Sequence, residues 1–514
     1  MKINFRASAA AAALLVMAAC SNHGAGSDTP STPQRGALLQ SPVQKTASYS
    51  PTALLGLLGS NNLGQTLLLS LYSPVCTIEV YHIEYQTVDL AGTLTPGSGA
   101  LMVPNGLNAS CRGGRPIVLY AHATATNRSY NIADLTASGH DEGLLMAAVF
   151  AAAGYIVVAP NYVGYDTSTL GYHPYLNADQ QSKDMIDALT AARSALPTSD
   201  ALLTTDGGKL FVTGYSQGGF VAVATHRAMQ AAGMVVTAAA PMSGPYALSA
   251  FGDAVFEGEV NMGAPIDLTL LISGYQHAYG NMYTNTTDVF SPMYATGIDS
   301  LLPSATALGV LESEGKIPSS VLFDSTPPAS SYAAYTPATA PANLAAVFAA
   351  GFGANPLVTN SYRASYLQDA LANPDGGFPM ATDGLPPAKP ANTLRQAFKT
   401  NDLRTWAPTV PVLLCGGDSD PTVFYFNTQL LQAYWAATAP AAHVTVLDID
   451  SATTPNDPYS ALKTGFTAAK DALIASAVAG GATDGGLSAV LSHYHAALVP
   501  PFCLSAAKSF FDGH

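Results

Sequence analysis

The chain has 514 residues, of which 48% are hydrophobic and only 11% are charged. It can therefore bury a core large enough for one big domain with an insertion or for two domains. The low charge argues against a charge-rich disordered protein. The formal net charge of −14 argues against a nucleic-acid partner, because phosphate binding requires a basic face.

Residues 1–20 are predicted to be an export signal. Lys2 and Arg6 supply positive charge, and an apolar segment follows that is too short to span a membrane. Small residues then precede Cys20, as in the lipobox of bacterial lipoproteins, where the cysteine is lipidated and becomes the mature N-terminus. Ser21 is similar to the residue found in lipoproteins sent to the outer membrane. The alternative is an ordinary secretory signal with an unrelated cysteine.

A tether and an exported location follow from this signal. Residues 21–48 are rich in Ser, Thr, Pro and Gly and are predicted to be flexible. We expect an outer-membrane lipoprotein anchored through Cys20, or else a secreted or periplasmic protein. No obligate protein partner is evident.

Four cysteines remain beyond the signal, and an oxidising compartment favours two disulfides among them. Three pairings are possible. We favour Cys76–Cys111, because both lie in the N-terminal third, and Cys415–Cys503, because both lie near candidate catalytic loops. Free buried thiols are the alternative.

Short apolar runs alternate with helical patterns along much of the chain. Two N-terminal strands are predicted at 78–90 and 92–104, and a helix is predicted from its apolar spacing at about 178–196. Six further strands are predicted from apolar runs at 117–121, 155–159, 210–213 and 235–240, and in "VPVLLCGGDSD" and "HVTVLDID". This alternation is typical of a parallel sheet with helices on both faces.

A serine stands between glycines where a predicted strand meets a predicted helix, in "LFVTGYSQGGFVAVA". Gly214, Ser216 and Gly218 match the G-x-S-x-G pattern of a nucleophile elbow in its strand–turn–helix context. The turn is so tight that the neighbouring residues must be small. It holds the serine in a strained conformation with its hydroxyl at the carboxyl edge of the sheet. An ordinary glycine-rich turn is the alternative.

Later loops offer partners for this serine, since a serine hydroxyl needs a base to take its proton and a carboxylate to orient that base. One loop contains Asp418 and Asp420, and the C-terminal segment "LSHYHAALVPPFC" contains His493 and His495. The two histidines could instead bind a metal, but no nearby acidic or cysteine pair completes a ligand set. We therefore expect neither a metal nor a cofactor.

The strand–helix rhythm is absent between residues 244 and 408, a segment rich in Gly, Pro, Ala, Ser, Tyr and Met. We expect a cap inserted over the carboxyl edge of the sheet, with the core formed by residues 49–243 and 409–514. Apolar stretches such as "LTLLISGY" and "LAAVFAAGFG" argue against the alternative of a disordered insert.

These motifs together resemble those of α/β-hydrolases of the secretory lipase and esterase type, the lipase A-like group. The likeness extends over most of the mature chain and rests on "VLYAHATA", "GYIVVAPNYVGY", "DMIDALTAARSA", "GYSQGG", the acidic loop and "YHAALVPPFC". It implies an α/β-hydrolase fold, which is a mostly parallel sheet flanked by helices, with a large, mainly helical cap. The chain departs from the usual pattern in having His-Ala at 122–123 and a long segment, 450–492, before the histidine.

The resemblance also implies the roles of three side chains, in the chain order serine, acid, histidine. Ser216 is the nucleophile. Asp420 is preferred to Asp418 as the acid, because it lies in the G-x-x-D-P-x-V pattern of this superfamily. His495 is preferred to His493 as the base, because it leads directly into the last helical segment.

Two backbone N–H groups are expected to form an oxyanion hole. One belongs to Gln217, which follows the nucleophile, and the other belongs to the loop after "IVLYA". In that loop Thr124 is the expected donor, with Ala123 as the alternative.

The implied activity is hydrolysis of carboxylic esters through an acyl-enzyme, with a small-molecule or lipid ester as the substrate. Seven cap side chains are candidates for an apolar acyl site, with the cap's own core as the alternative: Phe251, Phe256, Met262, Met282, Tyr283, Met293 and Phe352.

Two other functions are open. One is an exported serine peptidase of the same fold, for which Asp253, Glu257 and Glu259 in the cap could anchor the charged terminus of a peptide. The other is a surface lipoprotein that uses a hydrolase fold only for binding.

Overall fold

The computed structural model describes residues 34–60, 62–68, 73–137, 141–197 and 203–514. The predicted export signal and the first part of the predicted tether lie outside these described residues. The strands are β1 (Gln44–Tyr49), β2 (Thr77–Val88), β3 (Leu94–Asn105), β4 (Gly113–Ala121), β5 (Ile156–Pro160), β6 (Thr204–Tyr215), β7 (Ala238–Met242), β8 (Phe323–Asp324), β9 (Phe352–Gly353), β10 (Val412–Gly416) and β11 (Val444–Asp448).

Fifteen α-helices lie between and after these strands within the described residues. They are α1 (Pro51–Gly59), α2 (Asn62–Leu68), α3 (Asp141–Val149), α4 (Ala178–Ala195), α5 (Gln217–Ala231), α6 (Leu248–Phe256), α7 (Ala264–Tyr279), α8 (Leu308–Ser313), α9 (Ala345–Ala350), α10 (Asn360–Ala372), α11 (Thr393–Asn401), α12 (Phe426–Thr438), α13 (Ser460–Ala479), α14 (Leu487–His493) and α15 (Val499–Asp512).

Nine strands form one sheet in the order β1-β2-β3-β5-β4-β6-β7-β10-β11. In this order, the first three pairs, from β1 to β5, are antiparallel. The remaining pairs, from β5 to β11, are parallel. Every residue of β5, β7 and β10 is buried, which explains their unbroken apolar sequences. The predicted parallel sheet is thus confirmed. The predicted run at 235–240 begins too early, because Val235 is exposed and β7 begins at Ala238.

The strand order places a crevice at the carboxyl edge of the sheet. β4 has β5 on one side and β6 on the other, so the chain leaves β4 and β6 in different directions. Ligands of open α/β sheets bind at such a switch point. The loop after β4 contains Thr124, and the turn after β6 contains Ser216.

Helices flank the sheet and fix the segments that follow these strands. α5 packs on α4 and on strands β4, β6 and β7, whereas α15 packs on α3 and on strands β6, β7 and β10. The segment Leu487–Asp512 is long and apolar enough to cross a membrane, but half of its most apolar window is buried in the fold. The contacts of α15 with three strands identify it as a core helix.

Both favoured disulfide pairings are confirmed. Cys76–Cys111 joins the start of β2 to the segment before β4, and Cys415–Cys503 joins β10 to α15. The second bond lies between the loop of the candidate acid and the helix that follows the candidate base. Each bond restricts the unfolded chain, an effect typically worth about 2–4 kcal/mol.

The predicted tether ends earlier than residue 48, which is a correction. Residues 44–49 form β1, and Leu38 makes an isolated bridge with Tyr85. The Ser- and Thr-rich composition suits flexibility, but the exposed edge of β2 offers unpaired backbone groups. Pairing with this edge orders the segment despite its composition.

The segment predicted as the cap contains α6 to α11 and the short parallel pair β8–β9. Residues 34–514 form one compact unit, so this segment is not a separate body. Most of its buried side chains belong to the main hydrophobic core, and a smaller cluster groups Leu344, Val347, Phe348 and Phe424. The boundaries 244 and 408 stay a prediction.

Candidate active site

Ser216 occupies a strained turn between β6 and α5. Its backbone has φ 59° and ψ −123°, a conformation that residues with a side chain rarely adopt. The Ser216 N–H donates to the carbonyl oxygen of Met242 at 3.0 Å, which fastens the turn to β7. The surrounding structure therefore maintains this conformation and fixes the position of the hydroxyl.

The glycines around Ser216 are required by space. A Cβ atom on Gly218 would lie 1.9 Å from the carbonyl oxygen of Ala121, and one on Gly214 would lie 2.2 Å from that of Gly218. Both obstacles are backbone atoms, which cannot move without disturbing the sheet. The G-x-S-x-G pattern thus has a direct steric cause.

We expect Gly218→Ala to lower the free energy of unfolding by about 3 kcal/mol or more, because the added methyl group overlaps the backbone of β4. Urea unfolding followed by circular dichroism measures this change. Gly309→Ala is the matched control, since a Cβ there meets no atom within 4 Å. The control should change stability by about 1 kcal/mol or less, in the stabilising direction. Equal stability of the two variants would contradict the steric explanation.

The structure brings three predicted side chains together. His495 Nε2 lies 2.8 Å from Ser216 Oγ, and His495 Nδ1 lies 2.7 Å from Asp420 Oδ2. The Nδ1–H donates to the carboxylate, so the neutral ring has Nε2 free to accept the serine proton. The exposed fractions are 7% for Ser216, 9% for His495 and 1% for Asp420, so little water screens these contacts.

The loop after β10 orients Asp420 and leaves Asp418 outside. Asp420 Oδ1 accepts the N–H groups of Thr422 at 2.9 Å and Val423 at 3.0 Å, and Oδ2 faces His495. The side chain of Asp418 is exposed, whereas its N–H donates to Asp448. Asp420 is therefore the carboxylate in place to orient the histidine.

His495 and His493 point in different directions. His495 lies in a π-helical turn, Tyr494–Leu498, between α14 and α15, and its carbonyl oxygen accepts the Tyr215 hydroxyl at 2.6 Å. His493 ends α14, is exposed, and has Nδ1 2.9 Å from the carbonyl oxygen of Ala489. The backbone here is helical rather than extended, so residues two apart do not share a face. Such π turns are frequent at functional sites.

The backbone N–H groups of Gln217 and Thr124 make no hydrogen bond among the described residues. Gln217 is the first residue of α5, where the helix dipole favours negative charge. The N–H of Ala123 is occupied, since it donates to both carboxyl oxygens of Glu142 at 3.1 and 3.0 Å. This contact favours Thr124 over Ala123 as the second candidate donor.

Solved structures share this architecture. The rice cell wall degrading esterase LipA from Xanthomonas oryzae is similar over 93% of this chain and 98% of its own, with 24% identity and a TM-score of 0.65. Another LipA structure has 25% identity over 86% of this chain and all of its own, with a TM-score of 0.62. The chain has the α/β-hydrolase fold.

Two further similarities cover less of this chain or have lower sequence identity. A protein from Legionella pneumophila is 18% identical over 93% of this chain and 97% of its own, with a TM-score of 0.62. The model of the prolyl oligopeptidase family matches residues 144–269, which include Ser216 but neither Asp420 nor His495. No curated protein sequence matches the chain.

A cavity of about 520 Å³ lies over Ser216 and His495 and is also lined by residues of the segment predicted as the cap. Three of the seven candidate acyl-site residues line it, namely Phe251, Phe256 and Met262. The other four do not. Phe352 instead lies under the guanidinium of Arg363. Further apolar lining comes from Leu248, Val255, Ile266, Leu268, Leu271, Leu308, Leu322 and Phe398.

The three cap carboxylates considered as a peptide anchor lie outside the lining of this cavity. Asp253 is instead bound by the buried guanidinium of Arg395 at 2.7 and 2.8 Å and accepts the Tyr366 hydroxyl. Burial raises the pKa of Glu257 and of Glu259 to about 7, so these groups are partly protonated at neutral pH. None of the three is placed to hold a substrate next to Ser216.

His173, a buried histidine in the segment after β5, was not predicted to take part in the site. Burial lowers the pKa of His173 to about 3, so the ring is neutral. Its Nδ1 donates to the carbonyl oxygen of Val163 at 2.9 Å, which leaves Nε2 to accept the side-chain amide of Gln217 at 2.7 Å. His173 thus fixes the side chain of a candidate oxyanion residue.

Two partly buried acidic residues that line the cavity were also missed. Burial raises the pKa of Glu142 to about 7 and that of Asp267 to about 6. Asp267 accepts the Tyr175 hydroxyl at 3.1 Å, and that hydroxyl lies 2.8 Å from Thr124 Oγ1. For Asp267, the one sequence signal was the presence of an acidic residue inside an apolar helical run, "APIDLTLLISGY".

Proposed function

We propose that this α/β-hydrolase is an exported carboxylic ester hydrolase of the lipase and esterase type, which acts through an acyl-enzyme on Ser216. The observation that carries the proposal is the hydrogen-bonded series Ser216, His495 and Asp420 facing an apolar cavity. LipA, which has the same fold, is described as an esterase.

In the acylation step, Ser216 Oγ attacks the carbonyl carbon of the ester and His495 Nε2 takes the hydroxyl proton. The carbonyl electron pair moves to its oxygen, which accepts the N–H groups of Gln217 and Thr124. Asp420 holds the imidazole and stabilises its protonated form. These backbone donors are fixed before the reaction, so they stabilise the developing charge without reorganising.

Collapse of this intermediate releases the alcohol. His495 donates its proton to the ester oxygen, the carbon–oxygen bond breaks, and the acyl group remains on Ser216. Water then replaces the alcohol, loses a proton to His495 and attacks the acyl carbon. The carboxylic acid leaves, and the proton returns from His495 to Ser216 Oγ.

The competing activity is peptide hydrolysis, which the match to the prolyl oligopeptidase family model favours. The apolar lining of the cavity and the position of Asp253, Glu257 and Glu259 outside it favour esters. Rates with p-nitrophenyl esters and aminoacyl p-nitroanilides separate the two activities. Faster turnover of the esters supports the proposal, whereas turnover of the anilides alone contradicts it.

We expect the rate to rise from p-nitrophenyl acetate towards longer acyl chains, because each added methylene buries apolar surface worth about 0.8 kcal/mol. Val255→Trp should shift the preference to short chains, since Val255 lines the cavity. Val310→Trp is the matched control, because Val310 is exposed on α8. A chain-length profile that Val255→Trp leaves unchanged would contradict an acyl site under the cap.

Export of the protein is part of the same proposal. Two disulfides suit an oxidising compartment. We propose that Cys20 carries a lipid that anchors the protein to the outer membrane. Metabolic labelling with palmitate tests this, since incorporation should disappear in Cys20→Ser. Equal labelling of the variant would contradict the anchor.

A further inference from the structure

Glu142 lies behind the oxyanion loop and makes hydrogen bonds that the acylation steps do not use. It stands in the first turn of α3 and lines the cavity. Its two carboxyl oxygens accept the Ala123 N–H at 3.1 and 3.0 Å, and Oε2 also accepts the Tyr120 hydroxyl at 2.5 Å. The carboxyl group therefore joins α3 to the end of β4 and to the first residues of the loop.

Both peptide planes of this loop are held, the first by residues of other segments and the second by His122 of the loop itself. The plane between His122 and Ala123 is held at its carbonyl oxygen by the Tyr162 hydroxyl, at 3.0 Å, and at its N–H by Glu142. In the next plane, the carbonyl oxygen of Ala123 lies 2.6 Å from Nδ1 of His122. A trans peptide points its N–H away from its carbonyl oxygen, so this second plane directs the Thr124 N–H to the other side.

The neighbouring contacts do not replace Glu142. Among the described residues, the acceptors of the Ala123 N–H are the two carboxyl oxygens of Glu142. Without an acceptor, this partly buried N–H would lose its hydrogen bond, at a cost of up to about 1–3 kcal/mol where water does not replace Glu142. The loop could relieve that cost by rotating the peptide plane that precedes Thr124.

We propose that Glu142 is a positioning residue for the oxyanion hole. By holding the Ala123 N–H, its carboxyl group fixes the direction of the Thr124 N–H towards the oxygen that becomes negative when Ser216 attacks. The inference rests on the proposed function only in taking Ser216 as the nucleophile, and it applies equally to ester and amide substrates.

Two substitutions separate the hydrogen bond from the charge. Glu142→Gln keeps an acceptor oxygen for Ala123 and places an amide N–H towards the Tyr120 hydroxyl, which can accept it. Glu142→Leu keeps a similar volume and removes the acceptor. Thermal unfolding of both variants gives the fraction of folded protein to which every rate is normalised.

The decisive readout is the second-order rate constant for labelling of Ser216 by a fluorophosphonate, because its phosphoryl oxygen occupies the oxyanion hole whichever substrate is natural. Glu142→Leu should label about 10²-fold more slowly, the size of effect typical of losing one oxyanion donor. Its kcat for a p-nitrophenyl ester should fall by a similar factor with little change in KM. Glu142→Gln should recover most of both losses.

Labelling of Glu142→Leu at the wild-type rate, or a loss confined to KM, would overturn the proposal, because either result means that Glu142 does not act on the oxyanion. If Glu142→Leu does not fold, Glu142→Gln decides: a 10²-fold loss in that variant would overturn it, since the acceptor is retained. Wild-type protein that labels on Ser216 but hydrolyses no ester would refute the proposed activity alone. Wild-type protein that does not label would refute both.

Discussion

Ser216→Ala is expected to lower kcat/KM for p-nitrophenyl esters by about 10⁴-fold or more, with no loss of folded protein. The variant removes the oxygen proposed to attack the ester and leaves the strained turn in place, because alanine fits wherever serine does. The remaining rate should come from the oxyanion donors alone. Initial rates and circular dichroism of the purified protein measure the two quantities.

Ser243→Ala is the matched control for this variant. Ser243 is also buried and also has a positive φ, 44°, but it follows β7 and does not line the cavity over Ser216. The control should retain more than about a tenth of the wild-type rate, the scatter expected of a buried side chain without a role in the reaction. Comparable losses in both serine variants would mean that the turn, rather than the hydroxyl, limits activity.

Arg404→Leu is expected to lower the free energy of unfolding by about 3–5 kcal/mol, because it leaves two carboxylates buried without a counter-charge. Arg404 lies 2.7 Å from Asp375 and 2.9 Å from Asp402, and all three side chains are fully buried. Asp402 also accepts the N–H of Ser249 at the start of α6. The loss should therefore loosen the packing within the segment predicted as the cap.

Urea unfolding with the disulfides intact measures this effect. Arg193→Leu is the control, since Arg193 pairs with Asp206 at 2.9 Å but is 37% exposed. Exposed pairs contribute little, and the control should lose less than about 1 kcal/mol. A similar small loss in Arg404→Leu would show that the buried network contributes no more than a surface ion pair.

The sheet was predictable from the sequence because its central strands are buried on both faces. Unbroken apolar runs such as 412–416 have few other structural solutions, and an expected oxidising compartment favoured two disulfides among the four cysteines. The turn that holds the candidate nucleophile was predictable because the positions of Gly218 and Gly214 leave no room for a side chain. These are local constraints, and local constraints are visible in a sequence.

The features that escaped prediction depend on contacts between distant segments. β1 is ordered by pairing with β2, and Asp253 is a structural ion-pair partner because Arg395, far along the chain, reaches it. Glu142 and His173 were not predictable, because their positions depend on contacts with loops that are distant in the chain. Four of the seven candidate acyl-site residues face elsewhere, because composition does not reveal which way a cap side chain points.

The most direct test of the account is to identify the covalent intermediate. Mixing the enzyme with a p-nitrophenyl ester and quenching within the first turnovers should release a burst of p-nitrophenol close to one equivalent per active site. Peptide mapping by mass spectrometry should then place the acyl group on Ser216. Turnover with no acyl group on that serine, or an acyl group on another residue, would contradict the proposed mechanism.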